Sequence, residues 1–290
     1  HNFARKYSNN IIFQIRELII DFCISKFSKS LITVSHSCLE SIKFRKYISN
    51  CDQHVIYNGI DKERFKNKNE DLFLLNKLKN DKHHKIILML AVYEERKGHF
   101  FLLDVFKKIN SLNKKITLVI AGDGEDEYKE QLKNKIRSMP QTQNIILLNH
   151  VENVSCLIKK SDMIVIPSLK DESFGYTALE SMFYKKPVVC SNVGGLKEVV
   201  QHNITGYVLE HDINLFFDSI MNVLMNEYKE SPNRKPAAPA YNDEVHEEIN
   251  EKAKTQDKRL YKNLGDNLSF ENLLKLAMNY LDKESSNIAS

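Results

Sequence analysis

From residue 86 onward the chain alternates short, continuous apolar runs with stretches in which apolar residues recur every three or four positions. The runs are Ile86–Val92, Ile116–Ala121, Ile145–Leu148, Met163–Ile166, Val188–Cys190 and Tyr207–Leu209. Between them fall Phe100, Leu103, Phe106 and Ile109, then Leu132 and Ile136, then Ala178, Met182 and Phe183. Successive side chains of a strand point to opposite faces, so a strand apolar at every position must be covered on both sides. Helices between the strands supply the covers, which predicts a doubly wound α/β domain built on a parallel sheet. Such sheets bind ligands beyond the carboxyl ends of their strands. Eight of the nine glycines, from Gly59 to Gly206, lie at or near those ends, where a missing Cβ lets backbones approach.

The remaining organisation follows from shifts along the chain. A length of 290 residues leaves room for more than one domain. Residues 1–57 read as the C-terminal part of a different, N-terminal domain. A helix is expected over Ile11–Phe27, a strand over Leu31–Val34, a second helix after Ser35 and a short strand over His54–Ile56. A linker over 58–80 starts at the turn signal Asn58-Gly59. Residues 81–227 form the α/β domain. Residues 228–265, with Pro232, Pro236, Pro239 and a charged run, read as a flexible insertion, and 266–290 hold a closing amphipathic helix. The chain opens on His1 rather than Met, from which we expect that part of the N-terminal domain lies upstream.

Composition narrows the function classes. The 42 basic and 38 acidic side chains leave a formal charge of +4, spread through a Lys- and Asn-rich chain, which does not call for nucleic acid. Cys23, Cys38, Cys51, Cys156 and Cys190 are scattered and include no Cys-x2-Cys pair, so neither a disulfide framework nor a zinc site is indicated, and a cytoplasmic location fits best. No apolar run reaches the ~18 residues of a spanning helix.

The stretch 163–186 carries the most chemistry. An apolar run ends in Pro167-Ser168, a loop follows with Glu172 and Gly175, and a helical pattern then places Glu180 eight positions after Glu172. A strand and loop opening a helix present N–H groups and a positive dipole end to a phosphate. Two carboxylates flanking such a site repel phosphate, but they suit neutral hydroxyls on either side of a diphosphate, the layout of a nucleotide-sugar. On the Glu-x7-Glu spacing alone, an ordinary crossover with solvated acids remains the alternative.

In order and content the motifs resemble the retaining family 4 glycosyltransferases of the GT-B fold. The resemblance rests on Ile32-Thr-Val-Ser35, Tyr57-Asn-Gly-Ile-Asp61 with Phe65, Lys97-Gly98 and Ile120-Ala-Gly-Asp-Gly124. It continues through Ser161-Asp162, Pro167-Ser168, Glu172-Ser-Phe-Gly175, Leu179-Glu180-Ser-Met, Lys186-Pro-Val-Val189, Gly194-Gly195, Glu198 and Gly206. Leu268-Ser-Phe270, leading to Tyr280, is similar to the helix that crosses back onto the N-domain in that fold. The fold class expected is therefore α/β, GT-B type: a doubly wound Rossmann-like parallel sheet domain with the remnant of a second one.

The resemblance implies transfer of a sugar from a nucleotide-sugar donor to a glycan or lipid-linked acceptor, with retention, no metal and no cofactor beyond the donor. Glu172 and Lys97 are the catalytic candidates, Glu172 facing the donor sugar and Lys97 the diphosphate. Glu180 is the candidate for the ribose, with Gly175, Phe174, Ser173, Arg96 and Tyr176 beside the donor, while His150, Gly122 and His1 are weaker candidates. Gly122 and Gly124 read first as turn residues, and Thr177 either lines the site or simply begins the helix. One departure stands out: where the resemblance implies a Gly-Arg pair, this chain has Ala91-Val92, leaving Arg96 to supply the missing charge. A non-catalytic nucleotide-sugar-binding module and a GT-B nucleotide-sugar epimerase are the alternative readings. The basic amphipathic segment near 11–29 suits either packing within the N-domain or a peripheral contact at the inner face of a membrane.

Overall fold

The computed structural model describes residues 30–42, 52–59, 84–112, 115–170 and 172–226. The expected helix over 11–27, most of the 58–80 linker, the 228–265 insertion, the 266–290 helix and His1 lie outside the described residues.

Two parallel strands, β1 (Ser30–Thr33) and β2 (Asp52–Val55), flank helix α1 (His36–Ile42) and form a two-stranded sheet. Each strand sits one or two residues earlier than the apolar pattern predicted, because in both of them exposed positions alternate with half-buried ones. A strand covered on one side lacks the continuous apolar run that marks its ends in sequence.

The larger unit is a six-stranded parallel sheet. Its strands are β3 (Lys85–Leu90), β4 (Ile116–Ala121), β5 (Ile145–Leu148), β6 (Met163–Ile166), β7 (Val188–Ser191) and β8 (Gly206–Leu209). They lie in the order β5-β4-β3-β6-β7-β8, so the sheet grows outward from β3 in one direction and then, from β6, in the other. Each of the six apolar runs singled out in the sequence is one of these strands.

The period of two decides what covers each face. Ile87, Met89, Leu118, Ile120, Met163, Val165 and Val189 point into one core. There they meet α2 (His99–Asn110), α3 (Asp126–Arg137) and α7 (Ile213–Asn226) through Leu102, Phe106, Leu132, Phe216 and Ile220. Their neighbours Ile86, Leu88, Val119, Ala121, Ile164, Ile166, Val188 and Cys190 point the other way. That second core is closed by α4 (Val154–Lys160), α5 (Tyr176–Phe183) and the short α6 (Leu196–Val199), through Leu157, Leu179, Met182, Leu196 and Val199. Each fully buried Leu, Ile or Phe contributes roughly 1.5–3 kcal/mol, so the two cores together hold the sheet in place from both sides.

Strand order reverses between β3 and β6, and one acid pins that seam at its amino end. Asp162 accepts hydrogen bonds from the Ile86 amide at 2.7 Å and from Lys85 Nζ at 3.0 Å, while the Asp162 amide donates to the Ile86 carbonyl at 2.9 Å. The register Ile87↔Met163 and Leu88↔Ile164 follows. At the other end of the same seam, the two chains must part toward opposite neighbours, and a crevice opens there.

Candidate functional site

That crevice is a cleft of about 300 Å³ including its open mouth. Met89, Leu90 and Ala91 line it from the end of β3, and Val165, Ile166, Pro167 and Ser168 from the end of β6. Lys97, Glu172, Gly175 and Thr177 complete it. Lys97 and the 172–177 segment, far apart in sequence, are thus brought together at the switch point of the sheet.

Lys97 arrives on a single 3-10 turn, Glu95–Lys97, that runs into α2. Gly98 makes the junction with φ of 75°, and a Cβ there would lie 1.9 Å from the Pro167 carbonyl oxygen. The lysine loop is therefore pressed directly against the turn that follows β6, and only glycine permits the approach. A hydrogen bond from the Leu169 amide to the Arg96 carbonyl, 2.7 Å, ties the same two segments. Beneath the loop Tyr93 is fully buried, its hydroxyl donating to the Leu148 carbonyl, and its ring lies 5.4 Å from that of His99.

Glu172 comes from the loop between β6 and α5. Its Oε2 accepts from Lys97 Nζ at 2.7 Å and from Ser168 Oγ at 3.1 Å. The two charged side chains are only 15% and 14% exposed. The candidate phosphate ligand and the candidate sugar ligand thus hold each other, with both ends facing the cleft. Gly175, at φ of 100°, turns the chain into α5, and no side chain caps that helix start. Its positive end therefore opens into the cleft beside Lys97. Thr177 lines the cleft, and Glu180 lies one turn further along α5, half-buried.

The other candidates fall elsewhere. Phe174 is buried in the second core, its ring 6.4 Å from Tyr57 and 5.4 Å from Tyr176, so its side chain packs rather than facing the cleft. Tyr176 is largely exposed and outside the lining. Ser173 contributes its carbonyl, which accepts from Ser35 Oγ at 2.7 Å. Arg96 is paired with Glu94, Nη2 to Oε1 2.6 Å, and does not line the cleft. Val92 is exposed, and Ala91 presses on Gly122, where a Cβ would meet the Ala91 carbonyl oxygen at 1.8 Å. Gly122 is accounted for by that close approach. His150 is exposed beyond the end of β5. Sequence reasoning took Ser168 only as a turn residue. The signal was its position four residues before Glu172, in the Pro167-Ser168 turn that follows a strand ending at the switch point.

Among the described residues no group of three His, Cys, Asp or Glu side chains is placed to hold a metal ion, and no helix is long and apolar enough to cross a membrane.

Comparison with known proteins places this architecture. The chain is 31% identical over 184 residues to an uncharacterised glycosyltransferase of Methanocaldococcus jannaschii, covering 62% of this chain and 46% of the relative. It is 29% identical over 188 residues to the N-acetyl-alpha-D-glucosaminyl L-malate synthase of Bacillus anthracis, covering 64% and 46%. The chain spans about half the length of the curated relatives it matches. Its fold is similar to that of Anabaena Alr3699/HepE, solved in complex with UDP-glucose, with a TM-score of 0.68 at 20% identity over 85% of this chain and 68% of that one. The sucrose-phosphate synthase of Thermosynechococcus elongatus has a TM-score of 0.69 at 19% identity, covering 89% and 64%. Residues 71–241 match the family described as glycosyl transferases group 1, a span that contains the whole switch-point cleft, and the chain belongs to that family.

Proposed function

We propose that the cleft is the donor site of an enzyme that moves a sugar from a nucleotide-sugar to a glycan or lipid-linked acceptor, with retention and without a metal. The observation that carries this reading is the meeting of Lys97, Glu172 and the uncapped start of α5 at the β3/β6 switch point. In the reaction the bond from the sugar's anomeric carbon to the diphosphate oxygen breaks and a bond to an acceptor hydroxyl oxygen forms. The hydroxyl proton leaves with the diphosphate. Charge develops on the diphosphate, and a lysine with a helix N-terminus is a preorganised partner for it, in the role a divalent cation fills elsewhere. Lys97 must then exchange Glu172 for phosphate oxygens, which frees the Glu172 carboxylate to accept from donor-sugar hydroxyls. Glu180, further along α5, is the acceptor for the ribose. Support comes from the relatives: the Anabaena protein holds UDP-glucose, and a Salmonella typhimurium relative is named as a lipopolysaccharide N-acetylglucosaminetransferase.

A panel of UDP-, GDP- and ADP-sugars tests the reading, with thermal shift for binding and released nucleoside diphosphate for turnover, in the presence and absence of EDTA. One base class should stabilise the chain, and binding should be indifferent to EDTA. Stabilisation by none of the donors, or by all nucleosides alike, would contradict it. Donor isomerised rather than consumed would favour an epimerase instead.

A further inference from the structure

The loop that carries Glu172 is held by residues from outside its own element, and they form a connected set. The Glu172 carbonyl accepts from the Gly195 amide at 2.7 Å. Gly195 is pressed so close that a Cβ there would lie 2.5 Å from the Ser173 carbonyl oxygen and 2.8 Å from Phe174 Cα. The Ser173 carbonyl also accepts from Ser35 Oγ at 2.7 Å, and Ser35 Oγ in turn takes the Cys38 amide at 3.0 Å. Ser35 and Cys38 begin α1, which belongs to the small two-stranded unit.

The same helix start is gripped from the far side of the loop. Glu198, on α6, places Oε2 2.8 Å from the His36 amide and 3.1 Å from the Tyr57 hydroxyl, and Oε1 2.7 Å from the Ser37 amide. Ser37 Oγ completes the contact by donating to the Gly194 carbonyl at 2.8 Å. A helix begins with N–H groups that its own turns cannot satisfy. Here a carboxylate more than 160 residues away supplies the cap, with the added strength of a charged acceptor. Burial alone raises the Glu198 carboxyl, but the bonds from Ser37, His36 and Tyr57 outweigh it and hold it below the usual carboxylate range. The Tyr57 phenol is pushed up to about 12, by burial and then by the Glu198 charge, so it stays a donor.

The Gly194–Glu198 segment therefore has two jobs at once. Through Gly195 it fixes the Glu172 backbone, and through Glu198 it fixes α1, whose Ser35 holds the next carbonyl in the same loop. We propose that Glu198 is a positioning residue for Glu172: its grip on the start of α1 closes a ring, Glu198–α1–Ser35–Ser173–Gly195, that sets the geometry of the donor-sugar side of the cleft. Glu198 does not line the cleft. The proposal rests on the donor-site reading above, and its test has one readout that does not.

Hydrogen–deuterium exchange on the whole chain supplies that readout. Glu198→Gln should speed exchange at the amides of 36 and 37 and also at those of 172–176 and 195, with the amides of β4 and β5 unchanged. Acceleration confined to 36 and 37 would overturn the proposal, as would a uniform rise across the sheet. Tyr57→Phe, which keeps the ring near Phe174 and removes one hydrogen bond, should reproduce the pattern more weakly without risk to folding. Calorimetry with UDP, GDP and ADP and with their glucose conjugates adds the functional half. In Glu198→Gln the advantage of the conjugate over its diphosphate should shrink by about tenfold, while the diphosphate alone changes less than about twofold. Equal losses for both would mean that Glu198 only supports the fold. If the wild-type chain binds none of these, the donor-site reading fails, and the exchange pattern still decides whether Glu198 positions the loop.

Discussion

Glu172 is the residue on which the site turns, because its carboxylate is spent on Lys97 until something displaces it. Removing its charge should therefore act in opposite directions on the two halves of a donor. Glu172→Gln frees Lys97, so a nucleoside diphosphate should bind about threefold to tenfold more tightly, while the added affinity from the sugar falls. Calorimetry on both ligands checks this; a loss for the diphosphate would contradict the exchange. Glu180→Ala should weaken nucleotide-sugar binding by about 1–3 kcal/mol, with the same loss for the diphosphate, since its proposed partner is the ribose. Behind Lys97 sits a different kind of residue. His99 is fully buried, and the rings of Tyr93 and Tyr128 lie 5.4 and 5.6 Å away. Burial chiefly pulls its pKa down to about 4, against the opposing effect of the Glu94 backbone, with the Lys97 charge adding a lesser downward pull. The folded protein thus keeps His99 neutral where the unfolded chain takes up a proton. Its contribution is present above about pH 6.5 and is lost as pH falls toward 4, by up to about 3 kcal/mol. Urea midpoints at pH 7 and pH 4.5 should converge more in His99→Phe than in the wild type; an identical pH dependence would contradict the assignment.

The elements were legible where burial is two-sided. β3, β4, β6 and β7 are apolar at nearly every position because both faces are covered, so their runs are unmistakable in the sequence. β1 and β2 are half-exposed, and their bounds shifted. The helices were caught where their apolar residues recur, as in α2 and α5, and were not singled out where the stripe is short, as in the seven-residue α4. The loops between them obey close backbone approaches that no periodicity reports. Gly98 and Gly122 both sit where a Cβ would strike a carbonyl oxygen. Gly98→Ala should lower stability by about 2–4 kcal/mol, combining left-handed strain with overpacking, and should also displace Lys97. Gly122→Ala meets a similar contact without a positive φ, so its cost should be smaller and donor affinity should change little. Equal effects of both on diphosphate binding would mean that the Gly98 junction does not set the lysine loop.

At the scale of the molecule, the sequence located the cleft and three of its lining residues, Lys97, Glu172 and Gly175, but not its wiring. The alternating units predict a doubly wound sheet; the observed order reverses at β3/β6, and Lys97, Glu172 and Gly175 lie at the crevice that opens there. What no local pattern encodes is which partner each polar side chain finds. Lys97 meets Glu172 across 75 residues, and Glu198 meets Tyr57 across 141. The central claim is that a nucleoside diphosphate sits in this crevice in the grip of Lys97. Its most direct test is titration calorimetry of UDP, GDP and ADP, and of the matching nucleosides, against the wild-type chain and Lys97→Ala. The account predicts that the diphosphate bound by the wild type is weakened by about 1–3 kcal/mol in the variant while its nucleoside is unaffected. A matched loss for diphosphate and nucleoside, or no loss for either, would contradict it.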